Sequence, residues 1–334
     1  MIQITNRPIP VWLDCDPGND DVFAILLVLF HPRFNLLGIS TVHGNAPLEM
    51  TTHNTLALLD LLQVYNVKVY EGSKRPLKIP PHYAFGVHGT TGLGGVTLPK
   101  KTINKPAKDM YYIEAMRSAI CEHQGEICLV STGTLTNISK LIAKYPEVKD
   151  KIRYIAIMGG AFNFGNVTPF AEFNIHTDPH AASSVIAEFG DKVILTPLNL
   201  THTAVATEWV RKQIYNDVEG DNRRCSEIRK FFHDILMFYG QAYRENFGMT
   251  EGPPLHDPLA LYSLLPFVDD AFEEYGYKYV QQPIKVVLDG EHQGETVVSK
   301  ENTPGVYVGS EVDTKKFWQS VLVALKNAEV HIEV

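Results

Sequence analysis

The sequence predicts an α/β fold, a mostly parallel central sheet with helices on both faces, and three observations carry that prediction. Short β-rich runs alternate with helical runs over the first two-thirds of the chain, the pattern from which parallel sheets with crossover helices are built. The first strand is a compact apolar run, and the helix after it is apolar on both sides, as elements covered from two directions must be. Hydrophobic residues make up 45% of the 334 positions and charged residues 20%, ample material for a large core.

The elements follow in order. Ile9 to Leu13 is the first strand and Asp20 to Phe30 the first helix, with Val22, Ile25, Leu26 and Leu29 at helical spacing and Phe23 and Leu27 on the other side. Leu36 to Val42 is the next strand and Pro47 to Leu62 the next helix. The alternation returns as Ile127 to Ser131, Leu135 to Lys144 and Tyr154 to Met158, then as Pro179 to Phe189 and Val193 to Leu195. Asp178 before Pro179 reads as an N-cap with proline at the first helical position. Ile284 to Leu288, followed by Asp289 and Gly290, reads as the first arm of a hairpin. Asp313 or Thr314 caps a last helix through Leu325. The Gly-rich stretch Phe85 to Gly95 reads as a mobile loop. With no internal repeat and no low-complexity linker, one domain over residues 1–334 is expected.

The net charge of −8, with no basic face in the sequence, argues against a nucleic-acid partner. It suits a neutral substrate or a site that collects a cation. The longest apolar run, Val22 to Phe30, is too short to span a bilayer, so no membrane partner is expected. Met1 to Pro10 lacks the basic start and apolar run of a secretory leader. Cys15, Cys121, Cys128 and Cys225 form no CxxC pair and point to a reduced, cytoplasmic setting, with the nucleus also open to the protein.

The sharpest local signal is Asp14-Cys15-Asp16-Pro17-Gly18-Asn19-Asp20-Asp21. Asp14 and Asp16, two apart at a strand end, leave on the same face. Asp20 and Asp21 open the next helix. In open α/β sheets, ligand sites lie at the carboxyl ends of strands, where this cluster falls. Four carboxylates in one turn repel one another, and burial raises their pKa values further. A solvated turn with Asp20 as a helix cap accommodates one or two acids; four against an apolar strand and helix call for a bound cation. The candidate ligands are all oxygens, which select calcium or magnesium over zinc.

Further motifs are spread along the chain. Thr41 to Asn45 reads TVHGN, His88 to Gly94 reads HGTTGLG, Ser131 to Asn137 reads STGTLTN and Met158 to Ala161 reads MGGA. Gly165-Asn166, Ala171 to Asn174 (AEFN), Asn199 to His202 (NLTH) and His256 to Pro258 (HDP) follow. Each is weak alone, but their order and spacing over nearly the whole chain are specific. Together with DCDPGNDD, they make the sequence resemble the inosine-uridine-preferring nucleoside hydrolases, and it looks closest to the fungal uridine nucleosidases within them.

The resemblance implies a Rossmann-like sheet and calcium-dependent hydrolysis of the N-glycosidic bond of a ribonucleoside, giving free base and ribose. It implies that Asp16, Asp21, Asp257 and the backbone carbonyl of Thr132 hold calcium, and that Asp16 is also the general base toward the attacking water. Asp20, Asn174 and Asp257 are expected at the ribose 2′- and 3′-hydroxyls, Asn166 and Glu172 at the 5′-hydroxyl, Asn45 near the water, and Met158 against the ribose. Tyr243 falls where relatives place a tyrosine or glutamine near the base. Phe247 stands where some pyrimidine-preferring relatives have tyrosine. Asn19 stands where relatives carry histidine or an apolar residue, with no role assigned. The resemblance also implies a homo-oligomer, a dimer or a tetramer.

This bond breaks through a cation resembling an oxocarbenium ion, so the reaction needs a nucleophile, stabilisation of the ribosyl cation, and help for the leaving base. His256, next to Asp257, is the expected leaving-group residue, because an unperturbed pKa of about 6.5 suits proton donation near neutrality. His88 is expected to close over the base, and His202 to stand behind the site without a catalytic role. A magnesium-dependent phosphatase is the competing enzyme, but the extra acids crowd negative charge where a phosphate dianion would sit. A non-catalytic nucleoside or pentose sensor would have no need of the full ligand set. The base stays open among uracil, cytosine, hypoxanthine and nicotinamide, with uridine favoured.

Overall fold

The strands are β1 (Ile9–Cys15), β2 (Phe34–Thr41), β3 (Val69–Glu71), β4 (Cys128–Ser131), β5 (Tyr154–Met158), β6 (Val193–Thr196), β7 (Tyr277–Gln282), β8 (Ile284–Val286), β9 (Thr296–Val298) and β10 (Val306–Val312). Eight of them form one sheet in the order β3-β2-β1-β4-β5-β6-β10-β7, and β8 and β9 form a separate hairpin. The large sheet is parallel except where β7 pairs antiparallel with β10. These strands belong to a computed structural model that describes residues 7–216, 225–300 and 305–333.

Every residue of β1 is buried, because the strand lies inside the sheet between β2 and β4. That is why its sequence is an unbroken apolar run and does not alternate. Val11 and Leu13 enter one hydrophobic cluster and Trp12 the other, as the two-residue period of a strand demands.

Helices α1 (Asp21–Phe30), α2 (Leu48–Leu61), α3 (Phe85–His88), α4 (Tyr112–Glu122), α5 (Thr136–Lys144) and α6 (Phe173–Thr177) come first along the chain. They are followed by α7 (Pro179–Phe189), α8 (Leu198–Thr201), α9 (Glu208–Tyr215), α10 (Glu227–Phe247), α11 (Asp257–Asp269), α12 (Phe272–Tyr275) and α13 (Thr314–Glu333). One cluster takes the buried residues of α1, α10, α11 and α13, and the other those of α4, α5 and α7. The sheet is thus covered on both faces, as expected. Among the described residues no helix is long and apolar enough to cross a membrane.

Most boundaries fall within two residues of the sequence reading, and the departures have physical causes. β1 runs on through Asp14 and Cys15 because their backbones still pair with Ser40 and Thr41 of β2. The last helix continues past Leu325 to Glu333, with Ala328 fully buried; Asp313 Oδ1 caps it by accepting the backbone N–H of Lys315 and Lys316. The stretch read as a mobile loop is packed instead. It contains α3, buries His88 and Leu93, and is tied to the first strand end by Asn54, whose Nδ2 donates to the carbonyls of Pro17 and Thr91 at 3.1 Å each.

The strand order reverses between β1 and β4, the switch point at which a crevice opens outside the carboxyl ends of parallel strands. Behind it, a buried ion pair ties the turn before β2 to the end of α11. Arg33 Nη2 lies 2.6 Å from Asp269 Oδ1, and the Tyr275 hydroxyl donates to Asp269 Oδ2 at 2.6 Å.

Candidate active site

At the end of β1 the chain turns through Asp16 to Asp20 and enters α1 at Asp21. The Asp21 carboxylate gathers this turn: it accepts the backbone N–H of Asp16 at 3.3 Å and of Gly18 at 2.9 Å. It also accepts the Thr132 hydroxyl at 2.7 Å, from just past β4, and Asn45 Nδ2 at 3.2 Å, from past β2. Asp16 Oδ2 accepts the Asn45 N–H at 2.7 Å, while Asp16 Oδ1 is buried with no partner. The carboxylate fits only because glycines stand against it: a Cβ on Gly44 or on Gly133 would overlap it.

Asp20 sits at the N-cap position of α1 but makes no capping bond. Asp257, the first residue of α11, meets it from a helix that packs on the same face of the sheet as α1. Carboxylate oxygens of Asp20, Asp21 and Asp257 all lie within 4.8 Å of one another. Two ligands on opposite sides of a calcium ion at about 2.4 Å each stand at most about 4.8 Å apart, so this spacing is that of atoms able to share one ion. The trio includes Asp20 and not Asp16, whose Oδ1, at the start of the same turn, has no partner.

Burial, followed by the charge of Asp21, pushes the Asp16 carboxyl well above the usual range. Burial also raises Asp257, helped by Asp20 and Asp21, and lifts Asp20 to about 7. Asp21 is raised too, despite the hydrogen bonds it accepts. A divalent cation would reverse this pressure and let the acids ionise. The all-oxygen donors and the orphaned Asp16 oxygen fit such an ion. Asp14, counted with them in the sequence reading, stands apart. It accepts Asn137 Nδ2 at 2.7 Å and the Ser40 hydroxyl, and burial lifts it to about 7.

In front of the acids lies a cavity of about 240 Å³. Asp20, Asn45, His88, Thr132, Met158, Asn166, Glu172, Asn174, Tyr243, His256 and Asp257 all line it. Asp16 and Asp21 are not among its lining residues. Several side chains are already oriented by the backbone. Asn174 Nδ2 donates to the Thr132 carbonyl at 2.8 Å and to the Met158 carbonyl at 3.2 Å, which leaves its Oδ1 as an acceptor. Asn166 Oδ1 accepts the Phe173 N–H at 2.9 Å, which leaves its Nδ2 as a donor. Glu172 caps α6: its two oxygens accept the N–H groups of Asn174, Ile175 and Gly160 at 2.8 to 3.0 Å, and burial still raises its carboxyl.

The other end of the cavity is aromatic. His256 Nε2 lies 2.6 Å from the Tyr243 hydroxyl and Nδ1 lies 2.7 Å from Thr201 Oγ1. Burial, followed by the nearby His202 and His88, depresses His256 well below its ordinary value. That direction runs against the near-neutral titration expected of His256. The His202 ring stands 5.6 Å from it. His88, expected to close over the base, is already packed in place at the cavity wall. Its Nδ1 accepts the Asn19 N–H at 3.0 Å, burial lowers it to about 3, and its ring stacks on Tyr239 at 5.5 Å. Asn19, left without a role above, holds this segment, with Nδ2 donating to the Gly94 carbonyl at 3.0 Å.

The sequence reading missed Tyr239 and Thr201. Tyr239, Tyr243 and Phe247 fall four apart along α10, with neighbouring rings 4.8 and 4.9 Å apart. That spacing was visible, but only to a reader who had recognised the helix. All three line the cavity, together with His82 and Phe173.

Comparison with known proteins gives one answer. The sequence pattern described as inosine-uridine preferring nucleoside hydrolase matches residues 11–319. The uridine nucleosidase of Saccharomyces cerevisiae is 40% identical over 98% of both chains. The pyrimidine-specific ribonucleoside hydrolase RihA of Escherichia coli is 34% identical over 92% of this chain and 96% of its own. Among solved structures, the purine-preferring ribonucleoside hydrolase from Gardnerella vaginalis superposes with a TM-score of 0.85 at 28% identity, over 96% of this chain and 99% of that one.

Proposed function

Because the chain belongs to the inosine-uridine preferring nucleoside hydrolases, we propose that it hydrolyses uridine to uracil and ribose with calcium as its metal. The observation that supports this most is the cavity itself, with a cluster of acids at one end and a tyrosine-histidine pair at the other. Its size and polarity at the acid end suit a ribose, and its aromatic end suits a flat base.

Asp16, Asp21, Asp257 and the Thr132 carbonyl would hold the metal. Calcium, when bound there, supplies a fixed positive charge that makes water more acidic and orders the ribose hydroxyls. Asp16 takes the proton of the water attacking C1′, and Asn45, bonded to both Asp16 and Asp21, positions that water. Asp20, Asp257 and the free Oδ1 of Asn174 accept from the 2′- and 3′-hydroxyls. Nδ2 of Asn166 donates to the 5′-oxygen, whose own proton faces Glu172. Met158 packs against the sugar, and His88 and Tyr239 border the cavity beside it. Contacts of this kind orient the sugar for bond breaking and reject substrates that lack the hydroxyl.

Tyr243 and neutral His256 serve the departing base through hydrogen bonds. An imidazolium acid has no place in this account. The names of the yeast and Escherichia coli relatives favour a pyrimidine; that of the Gardnerella vaginalis structure keeps purine ribosides in view. The remaining partners proposed are further copies of the chain, in the cytoplasm. A panel of uridine, cytidine, inosine and nicotinamide riboside, assayed for free ribose, tests the reading. Uridine should lead it. Faster release from inosine would move the assignment to purines.

A further inference from the structure

Thr201 and His256 are placed by their backbones before any side chain acts. Past α8 the chain turns back, and residues 204–206 run antiparallel to 253–255: Leu255 N–H donates to the Ala204 carbonyl at 3.0 Å and Ala206 N–H to the Pro253 carbonyl at 2.8 Å. The 2.7 Å contact between Thr201 Oγ1 and His256 Nδ1 is therefore not needed to hold the segment. What it fixes is where protons lie.

Thr201 is fully buried, and among the described residues His256 Nδ1 is the hydrogen-bond partner of its hydroxyl. A buried hydroxyl carries one proton that must be donated. With no other acceptor at hand, that proton goes to Nδ1. An Nδ1 that accepts a hydrogen bond carries no proton of its own, so the single N–H of the His256 ring is on Nε2. It donates to the Tyr243 oxygen at 2.6 Å. The Tyr239 oxygen stands 3.5 Å from the same oxygen. With Nε2–H donating to it, Tyr243 keeps its own O–H for the cavity it lines.

We infer that Thr201 is a positioning residue that locks His256 in its Nε2–H tautomer and so presents Tyr243 as a hydrogen-bond donor to the departing base. The opposite tautomer would consume the Tyr243 proton on Nε2 and leave an acceptor facing a base that gains negative charge as it leaves. This rests on the hydrolysis proposed above. The recognised ligand is a base that departs as an anion from nitrogen, such as a pyrimidine, and Tyr243 offers it a hydrogen bond that strengthens as the bond to C1′ breaks.

The test combines a spectroscopic and a kinetic readout on the intact, calcium-loaded protein. In ¹⁵N-histidine NMR, with the His256 signals identified by their loss in His256→Asn, the wild type should show the Nε2–H tautomer. The Nδ1–H tautomer would overturn the inference whether or not the protein cleaves uridine. Thr201→Val keeps the shape and removes the hydroxyl. It should lower kcat on uridine about tenfold or more, the loss of one hydrogen bond, and leave a nitrophenyl riboside, whose leaving group needs no donor, unchanged. Thr201→Ser should restore uridine turnover. An unchanged uridine kcat, or equal losses on both substrates, would overturn it. A wild type that cleaves no ribonucleoside would refute the proposed function alone, and the tautomer would still decide this inference.

Discussion

The carboxylate of Asp16 lies over Gly44 with no room for a Cβ between them, and Gly133 closes in from the other side. The glycine in TVHGN is therefore a space requirement, and the Asn45 N–H that follows it grips Asp16 Oδ2. Gly44→Ala should push the Asp16 carboxylate aside while leaving the sheet intact. Because a displacement of about 1 Å at a reacting group costs roughly 10²-fold, kcat on uridine should fall by about that factor. Unchanged turnover in a correctly folded variant would remove Asp16 from the reaction.

The acids that surround this point are raised by burial and mutual repulsion, so a bound cation should stabilise the fold as well as the reaction. Dialysis against a strong chelator should abolish ribose release, and calcium should restore it. A ligand at 100 times its Kd contributes about 2.7 kcal/mol, so the melting temperature should rise by several degrees on adding calcium. Calorimetry with and without chelator measures this. An identical Tm would argue that the acids hold no ion.

Asn166 offers its Nδ2 to the cavity because Oδ1 is held by the Phe173 N–H. Asn166→Ala should therefore lower kcat/KM on uridine by about tenfold, the value of one hydrogen bond. It should do much less on 5′-deoxyuridine, which lacks the hydroxyl. Equal losses on the two substrates would place Asn166 elsewhere.

Much of this was legible in the sequence, and the parts that were not share a cause. The first acidic turn announced itself because Asp14 to Asp21 are contiguous and polar residues at a strand end are conspicuous. Every pocket residue carried over from the motifs lines the cavity, because those motifs sit at strand ends and helix starts where local sequence sets local geometry. What sequence could not supply was the environment of each group. His256 looked like a near-neutral acid, yet burial pushes its pKa down. Asp14 looked like a member of the cluster, yet Ser40 and Asn137, remote in sequence, claim it. Tyr239 and Thr201 matter only through partners that the fold brings to them.

Arg33 and Asp269 test the fold apart from the site. Asp269 is raised by burial, but Arg33 and Tyr275 outweigh that and hold its carboxyl below the usual range. Removing the cation leaves a buried charge unpaired, so Arg33→Ala should cost about 3–5 kcal/mol with little change in KM. A group depressed in the folded state stabilises above its unfolded pKa and loses that contribution as pH falls through the folded value. The gap between wild type and variant in denaturant melts should therefore be full at pH 7 and shrink below about pH 4. A gap that widened in acid would contradict the assignment.

The central claim is that water, activated at Asp16, cleaves a ribonucleoside in this cavity. The measurement that tests it most directly is the release of uracil and free ribose from uridine in phosphate-free buffer with calcium, comparing wild type with Asp16→Asn. The account predicts equimolar uracil and ribose from the wild type and nearly none from the variant. Absence of ribose from the wild type, a requirement for phosphate, or near-normal turnover by Asp16→Asn would contradict it.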